Sequence, residues 1–155
     1  GGHISLSLSK MSTMMGFQTV VIDDRPQFAN KERFPEAEEV IAEEFPLVLP
    51  KLKVNQASYL VIVTRGHAYD QEVLEWALKQ DVKYIGMIGS RKKIQTVYNE
   101  LKEKGFKAEQ FQRVHAPIGL DIGAVTPEEI AVSIVAEMIQ VRRGTKKENR
   151  GTGKC

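Results

Sequence analysis

Short β-branched runs alternate along this chain with segments of helical period, and that alternation limits the fold more than any other feature. Gln18–Asp23, Tyr59–Val63 and Lys83–Ile88 are apolar, brief and bounded by turn residues, so they read as buried strands of a parallel sheet. Before the first, Ile4, Leu6, Leu8, Met11, Met14 and Met15 form an imperfect helical stripe that stops at Gly16. After the second, a helix is expected from about Asp70 to Lys79, with Val73, Leu74, Ala77 and Leu78 inward and Asp70 as its cap. After the third, Gly89-Ser90 supplies a turn and N-cap for a helix through Ile94, Val97, Tyr98 and Leu101, closed by Gly105. Thr126-Pro-Glu-Glu129 is a capping box with proline at the first helical position, and it predicts a last helix that ends near Gly144. Asp24 to Lys53, with four of the six prolines, resists this reading; an irregular crossover with one short strand near Glu39–Ile41 is expected there.

The pattern predicts an α/β fold, a Rossmann-like doubly wound parallel sheet with helices on both faces. A length of 155 residues favours one domain, over 1–144, followed by a disordered basic tail over 145–155. The chain opens on a glycine turn with no strand before it, which reads as a fragment of a longer protein lacking the first strand. The sheet is then expected to have a gap at its centre, because that strand normally lies between the second and the fourth.

Composition removes several function classes. A net charge of +2 from 22 basic and 20 acidic residues gives no overall excess for nucleic-acid binding, so any phosphate binding is local. No apolar run is long enough for a membrane span and no signal segment opens the chain, which points to the cytoplasm. The single cysteine, Cys155, excludes an internal disulfide and fits a reducing compartment.

In such a sheet the loops that leave the C-terminal strand ends gather in one crevice, and five loops carry chemistry. Gly1-Gly2-His3 lets backbone approach a pyrophosphate at a helix N-terminus. Asp23, Asp24 and Arg25 lie about 20 residues further on, where a carboxylate accepts hydrogen bonds from a ribose; a plain turn before Pro26 is the bland alternative. The third glycine of that fingerprint falls on Ser5, a departure from Gly or Ala. Thr64-Arg65-Gly66-His67 places a hydroxyl, a guanidinium and an imidazole directly after a buried strand. Gly89, Ser90 and Arg91, with Lys92 and Lys93, open a helix with cations that oppose its dipole, a placement that costs stability unless an anion sits nearby. His115-Ala-Pro-Ile-Gly-Leu-Asp-Ile-Gly123 has neither helical nor strand period, and His115 and Asp121 can both turn inward from it. All three histidines fall in these loops and are candidates to converge, but no local ligand pair exists and no metal site is assigned.

Taken together, Val21-Ile-Asp-Asp-Arg25, Thr64-Arg-Gly-His67, Tyr84-Ile-Gly-Met-Ile-Gly-Ser-Arg91 and the His115–Gly123 loop followed by Thr126–Glu129 resemble the C-terminal Rossmann-type domain of the xanthine dehydrogenase accessory (XdhC/CoxI) family. The resemblance implies an accessory protein that binds molybdenum cofactor (molybdopterin), assists its sulfuration with a cysteine desulfurase, and helps insert it into xanthine dehydrogenase-type molybdenum hydroxylases. It carries a ligand crevice over to His3, Asp23, Arg65, His67, Ser90, Arg91, His115 and Asp121. It carries no sulfur chemistry, since the family's cysteine motif lies in a separate N-terminal domain. Two other readings stay open: an NAD(P)-dependent oxidoreductase using His67 or His115 as proton donor, and a non-catalytic interaction domain with a vestigial crevice. The sequence leaves a homodimer open as well.

Overall fold

The computed structural model describes residues 1–144; the tail expected to be disordered lies outside the described residues. The order of elements is α1 (His3–Met14), β1 (Val20–Asp23), β2 (Glu39–Ala42), α2 (Phe45–Val48) with a 3-10 turn at Leu49–Lys51, β3 (Tyr59–Ile62), α3 (His67–Leu78), β4 (Tyr84–Met87), α4 (Arg91–Glu103), α5 (Ala108–Phe111), β5 (Val114–His115) and α6 (Pro127–Arg143). Every strand pair is parallel: Val20 lies opposite Glu39, Tyr59 opposite Tyr84, and Gly86 opposite His115. The strands form two sheets, β1-β2 and β3-β4-β5, and no backbone ladder joins them among the described residues.

The period of two along β3, β4 and β5 decides which helices cover which face. Leu60, Ile62, Ile85, Met87 and Val114 face one way, into a core with Leu74, Ala77 and Leu78 of α3 and Ile94, Val97 and Leu101 of α4. Tyr59, Val61, Tyr84 and Ile88 face the other way, onto Leu8 of α1 and Ala131, Ile134, Val135 and Met138 of α6. Gly86 is required on that second face, because a Cβ there would lie 2.6 Å from both Ile118 Cδ1 and the Tyr84 hydroxyl. The glycine between the two strand halves is therefore a packing residue. The β1-β2 half has a smaller core of Val21, Phe34 and Ala37, and it docks on α3 through Phe45, Val48 and Leu49 against Tyr69, Val73 and Trp76.

One helix start and one segment differ from expectation. The first residue of α3 is His67, three residues before Asp70, because Gly66 at φ 97° is the N-cap and glycine alone adopts that backbone without strain. Asp70 is consequently not a cap. The segment from Ala108 to His115, unassigned from sequence, holds the one-turn helix α5 and the two-residue strand β5. The other caps are as the sequence predicts: Ser90 Oγ accepts from the Lys93 amide at 3.2 Å, and Thr126 and Glu129 form a reciprocal capping box.

Candidate functional site

Asp23, the last residue of β1, is buried and accepts four hydrogen bonds. Arg25 supplies its amide at 2.9 Å and Nε at 3.0 Å to Oδ1, and Nη2 at 3.1 Å to Oδ2; the Gly1 nitrogen reaches Oδ2 at 2.7 Å. Burial alone would raise this carboxyl, but the Arg25 bonds and the Gly1 nitrogen outweigh it and hold it well below the usual carboxylate range. The glycine turn is thus tied to the end of β1. Arg33 Nη2 donates to the Gly1 carbonyl at 2.9 Å, and a Cβ on Gly1 would lie 2.4 Å from the Phe28 carbonyl oxygen, so Gly1 is held by close packing. A Cβ on Gly2, the N-cap of α1, would meet nothing within 4 Å.

Asp24 bridges the two sheets. Arg65 Nη2 donates to its two oxygens at 3.2 and 3.1 Å, the Tyr69 hydroxyl donates to Oδ2 at 3.1 Å, and Arg25 Nε lies 4.0 Å from Oδ1. These contacts join the end of β1 to the loop after β3 and the first turn of α3. A second tie runs onward from that loop. The Thr64 hydroxyl donates to Oδ1 of Asp70, and Oδ2 of Asp70 faces Lys93 Nζ of α4 at 3.1 Å as an ion pair, although not aligned as a hydrogen bond.

Asp70 is 1% exposed, which explains why it does not cap α3: its charge is spent inside, between two strand-end loops. It also answers part of the puzzle of basic residues at the start of α4, because Lys93 has an internal counter-charge. Arg91 and Lys92, both exposed, make no ion pair among the described residues.

The histidines do not converge. His67 Nε2 lies 2.7 Å from Glu100 of α4, and His3 is exposed on the first turn of α1. His115 belongs to β5 rather than to an irregular loop; its ring stacks on Tyr84 with centroids 4.7 Å apart, and its Nδ1 lies 3.6 Å from Glu137 of α6. It sits on the α6 face of the sheet, below the rim, because its register partner is Gly86 and not Gly89. Asp121 is exposed in the loop beyond. Among the described residues no group of three or more His, Cys, Asp and Glu side chains is placed to hold a metal ion.

Glu137 is a residue that sequence reasoning missed. It is 3% exposed, and its Oε1 accepts from the Tyr84 hydroxyl at 2.7 Å and from the Gly119 amide at 3.1 Å. Burial, then the hydrogen bond and charge of Glu137, push the Tyr84 phenol above its ordinary range, so it remains a donor. The available signal was a carboxylate inside the apolar stripe of Ile134, Val135 and Met138. Tyr69, Asp70 and Arg33 were also missed as rim residues; each lies within ten residues of a motif but on no motif position.

Gly1, Gly2, Asp23, Asp24, Arg25, Thr64, Arg65 and Gly66 therefore form one contiguous rim across β1 and β3, extended by Asp70 and Lys93 to Gly89, Ser90 and Arg91 after β4. Three helices begin there, and α1 and α3 start at glycines with no capping side chain.

Over residues 1–138 the chain matches the family described as the XdhC Rossmann domain. It is 34% identical over 142 residues to the uncharacterised protein YqeB of Escherichia coli K12, covering 91% of this chain and 26% of that protein. It is 31% identical over 142 residues to a probable xanthine dehydrogenase subunit from Bacillus subtilis 168, covering 92% of this chain and 41% of the relative. The crystal structure of a xanthine dehydrogenase from Bacillus halodurans superposes with a TM-score of 0.80 at 35% identity, over 94% of this chain and 41% of the other. The chain thus spans from 26% to 41% of the length of these relatives. No described helix is long and apolar enough to cross a membrane. The chain belongs to the XdhC Rossmann domain family.

Proposed function

We propose that the rim receives an anionic, pterin-type cofactor or its nucleotide form, and that the domain is the cofactor-binding part of a maturation factor for xanthine dehydrogenase-type molybdenum hydroxylases. The observation that carries this reading is the convergence of three helix N-termini with Arg91 and Lys92, two exposed cations that pair with no carboxylate among the described residues. Amides at a helix start carry partial positive charge and lack intrahelical acceptors, so they stabilise a phosphate oxygen. Where a side chain does not cap them, as at Gly2 and Gly66, an outside anion can take that place.

The residues fit molybdenum cofactor. Ser90 and the first amides of α4 would hold its phosphate, Arg91 would bind two of its oxygens in parallel, and the open space before Gly2 would admit the pterin. The cofactor itself would supply the metal-centred chemistry of the client enzyme; the chain's residues bind, orient and release it. A client of the xanthine dehydrogenase class agrees with the names of two relatives, and delivery of the cofactor to it with sulfuration by a cysteine desulfurase completes the proposal. The described residues contain no cysteine, so any sulfur transfer falls to partners or to other parts of the protein.

The test is titration of molybdenum cofactor against the full-length protein and its Arg91→Ala variant. Loss of the paired charge-assisted bonds is expected to weaken binding about tenfold or more. Unchanged affinity would remove Arg91 as the anchor.

A second reading, NAD(P) binding by an oxidoreductase, is favoured by the placement of Asp23 and Asp24 at the end of β1 beside the glycine turn. Enhanced NADH fluorescence with hydride transfer would support it, and full-length protein that binds no dinucleotide would end it.

A further inference from the structure

Asp24 is engaged in a way that a ribose acceptor need not be. Three donors from three separate elements point at its carboxylate: Arg65 from the loop after β3, Tyr69 from α3, and at longer range Arg25 from the turn after β1. Such a set of donors suits any compact oxyanion. Arg65 meets both oxygens through a single nitrogen, Nη2, rather than through the two-nitrogen fork that makes arginine–carboxylate and arginine–phosphate pairs strong. Its side chain is 52% exposed while that of Asp24 is 17% exposed, so the guanidinium reaches solvent where the carboxylate is largely covered.

We propose that Asp24 is a resident stand-in for a ligand oxyanion, and that a phosphate or pyrophosphate group takes Arg65 and Tyr69 from it on binding. This rests on the anion-binding reading above and adds a phosphate position on the β1–β3 side of the crevice, separate from the start of α4. An incoming phosphate can use the fork that Asp24 leaves unoccupied. The exchange is open on the Arg65 side, whose guanidinium is half exposed, while Arg25 Nε at 4.0 Å stays beside Asp24 as a counter-charge. The carboxylate also disfavours a second anion at the same guanidinium, so an empty crevice stays closed to adventitious weak anions until one with more than one phosphate-binding contact arrives.

The test measures binding of inorganic pyrophosphate by calorimetry to the full-length protein, to Asp24→Asn, to Arg65→Ala and to the double variant, with melting curves to verify folding. Removing the stand-in charge is expected to tighten binding about three- to tenfold. Arg65→Ala is expected to weaken it, and the double variant is expected to match Arg65→Ala, because the gain has to pass through Arg65. Weaker binding in Asp24→Asn, the sign required if Asp24 contacts the ligand directly or positions Arg65, overturns the proposal. So does a gain of equal size in the absence of Arg65, or no pyrophosphate binding by Asp24→Asn. The parent reading fails differently: cofactor affinity indifferent to Arg91→Ala, with the Asp24→Asn gain intact, removes the α4 anchor and leaves the stand-in standing.

Discussion

The half of the domain built on β3, β4 and β5 is closed by apolar cores on both faces, whereas the half built on β1 and β2 has a small core of its own and is joined to its neighbour by one apolar patch on α3 together with polar contacts at the rim. Tyr84, Ile85 and Met87 of β4 are each 1% exposed, and Leu74, Val97, Leu101 and Ile134 around them are fully buried. Across the junction Phe45, Val48 and Leu49 pack on Tyr69, Val73 and Trp76 of α3, and at the rim Asp24 pairs with Arg65 and Tyr69. Apolar packing resists rearrangement, while a half-exposed guanidinium at the rim, as in Arg65, can change partners at smaller cost. The seam between the halves therefore carries the polar contacts that the proposed ligand would engage.

The largest expected effect breaks the comparison at its stronger side. Leu74→Ala removes a fully buried side chain from the core shared by α3, α4 and the sheet, and should cost about 2–5 kcal/mol in urea unfolding. In the unmodified protein, native-state hydrogen exchange should protect the β4 amides at the global free energy and release those of β1 and β2 at a lower one. Equal protection in both sheets would contradict the division.

Next comes Glu137→Ala, which leaves the Tyr84 hydroxyl and the Gly119 amide without their acceptor and should cost about 3 kcal/mol, with Glu137→Gln recovering part. A neutral result would mean that water or His115 replaces the carboxylate.

The third effect sharpens the account of the rim. Because the Asp23 carboxyl is held below its ordinary value of 3.8 in the folded chain, its contribution to stability is fully present above that pH and is lost as pH falls through the folded value. Asp23→Asn should therefore be less stable than the parent at pH 7, with the difference shrinking toward strong acid. A difference that persists unchanged at low pH would assign the loss to packing rather than to charge.

How far the sequence disclosed this division follows from the same physics. β3, β4, α4 and α6 were legible because burial on two faces leaves continuous apolar runs, and because Ser90 and Thr126 carry cap signals that act over one turn. β5 was not legible: two residues, one of them a histidine stacked on Tyr84, produce no period. Asp70 misled because an aspartate near a helix start is usually a cap, and only the fold brings Thr64 and Lys93 to it from either side. At the candidate site, loop chemistry located Asp23, Asp24, Arg65 and Ser90 on one rim, since strand ends in a parallel sheet share a side. Which side chains neutralise one another depends on contacts 41 residues apart, as for Arg65 and Asp24, and no local pattern encodes them.

The central claim, that a negatively charged cofactor sits along this seam, is tested most directly by amide chemical shifts of the isotopically labelled full-length protein during titration with molybdenum cofactor. The account predicts that the moving signals belong to Gly2, Asp24, Gly66, Ser90 and Arg91, while the amides of Leu74 and Val97 stay fixed. Shifts confined to the exposed outer faces of α3 or α6, with the rim signals unmoved, would contradict it.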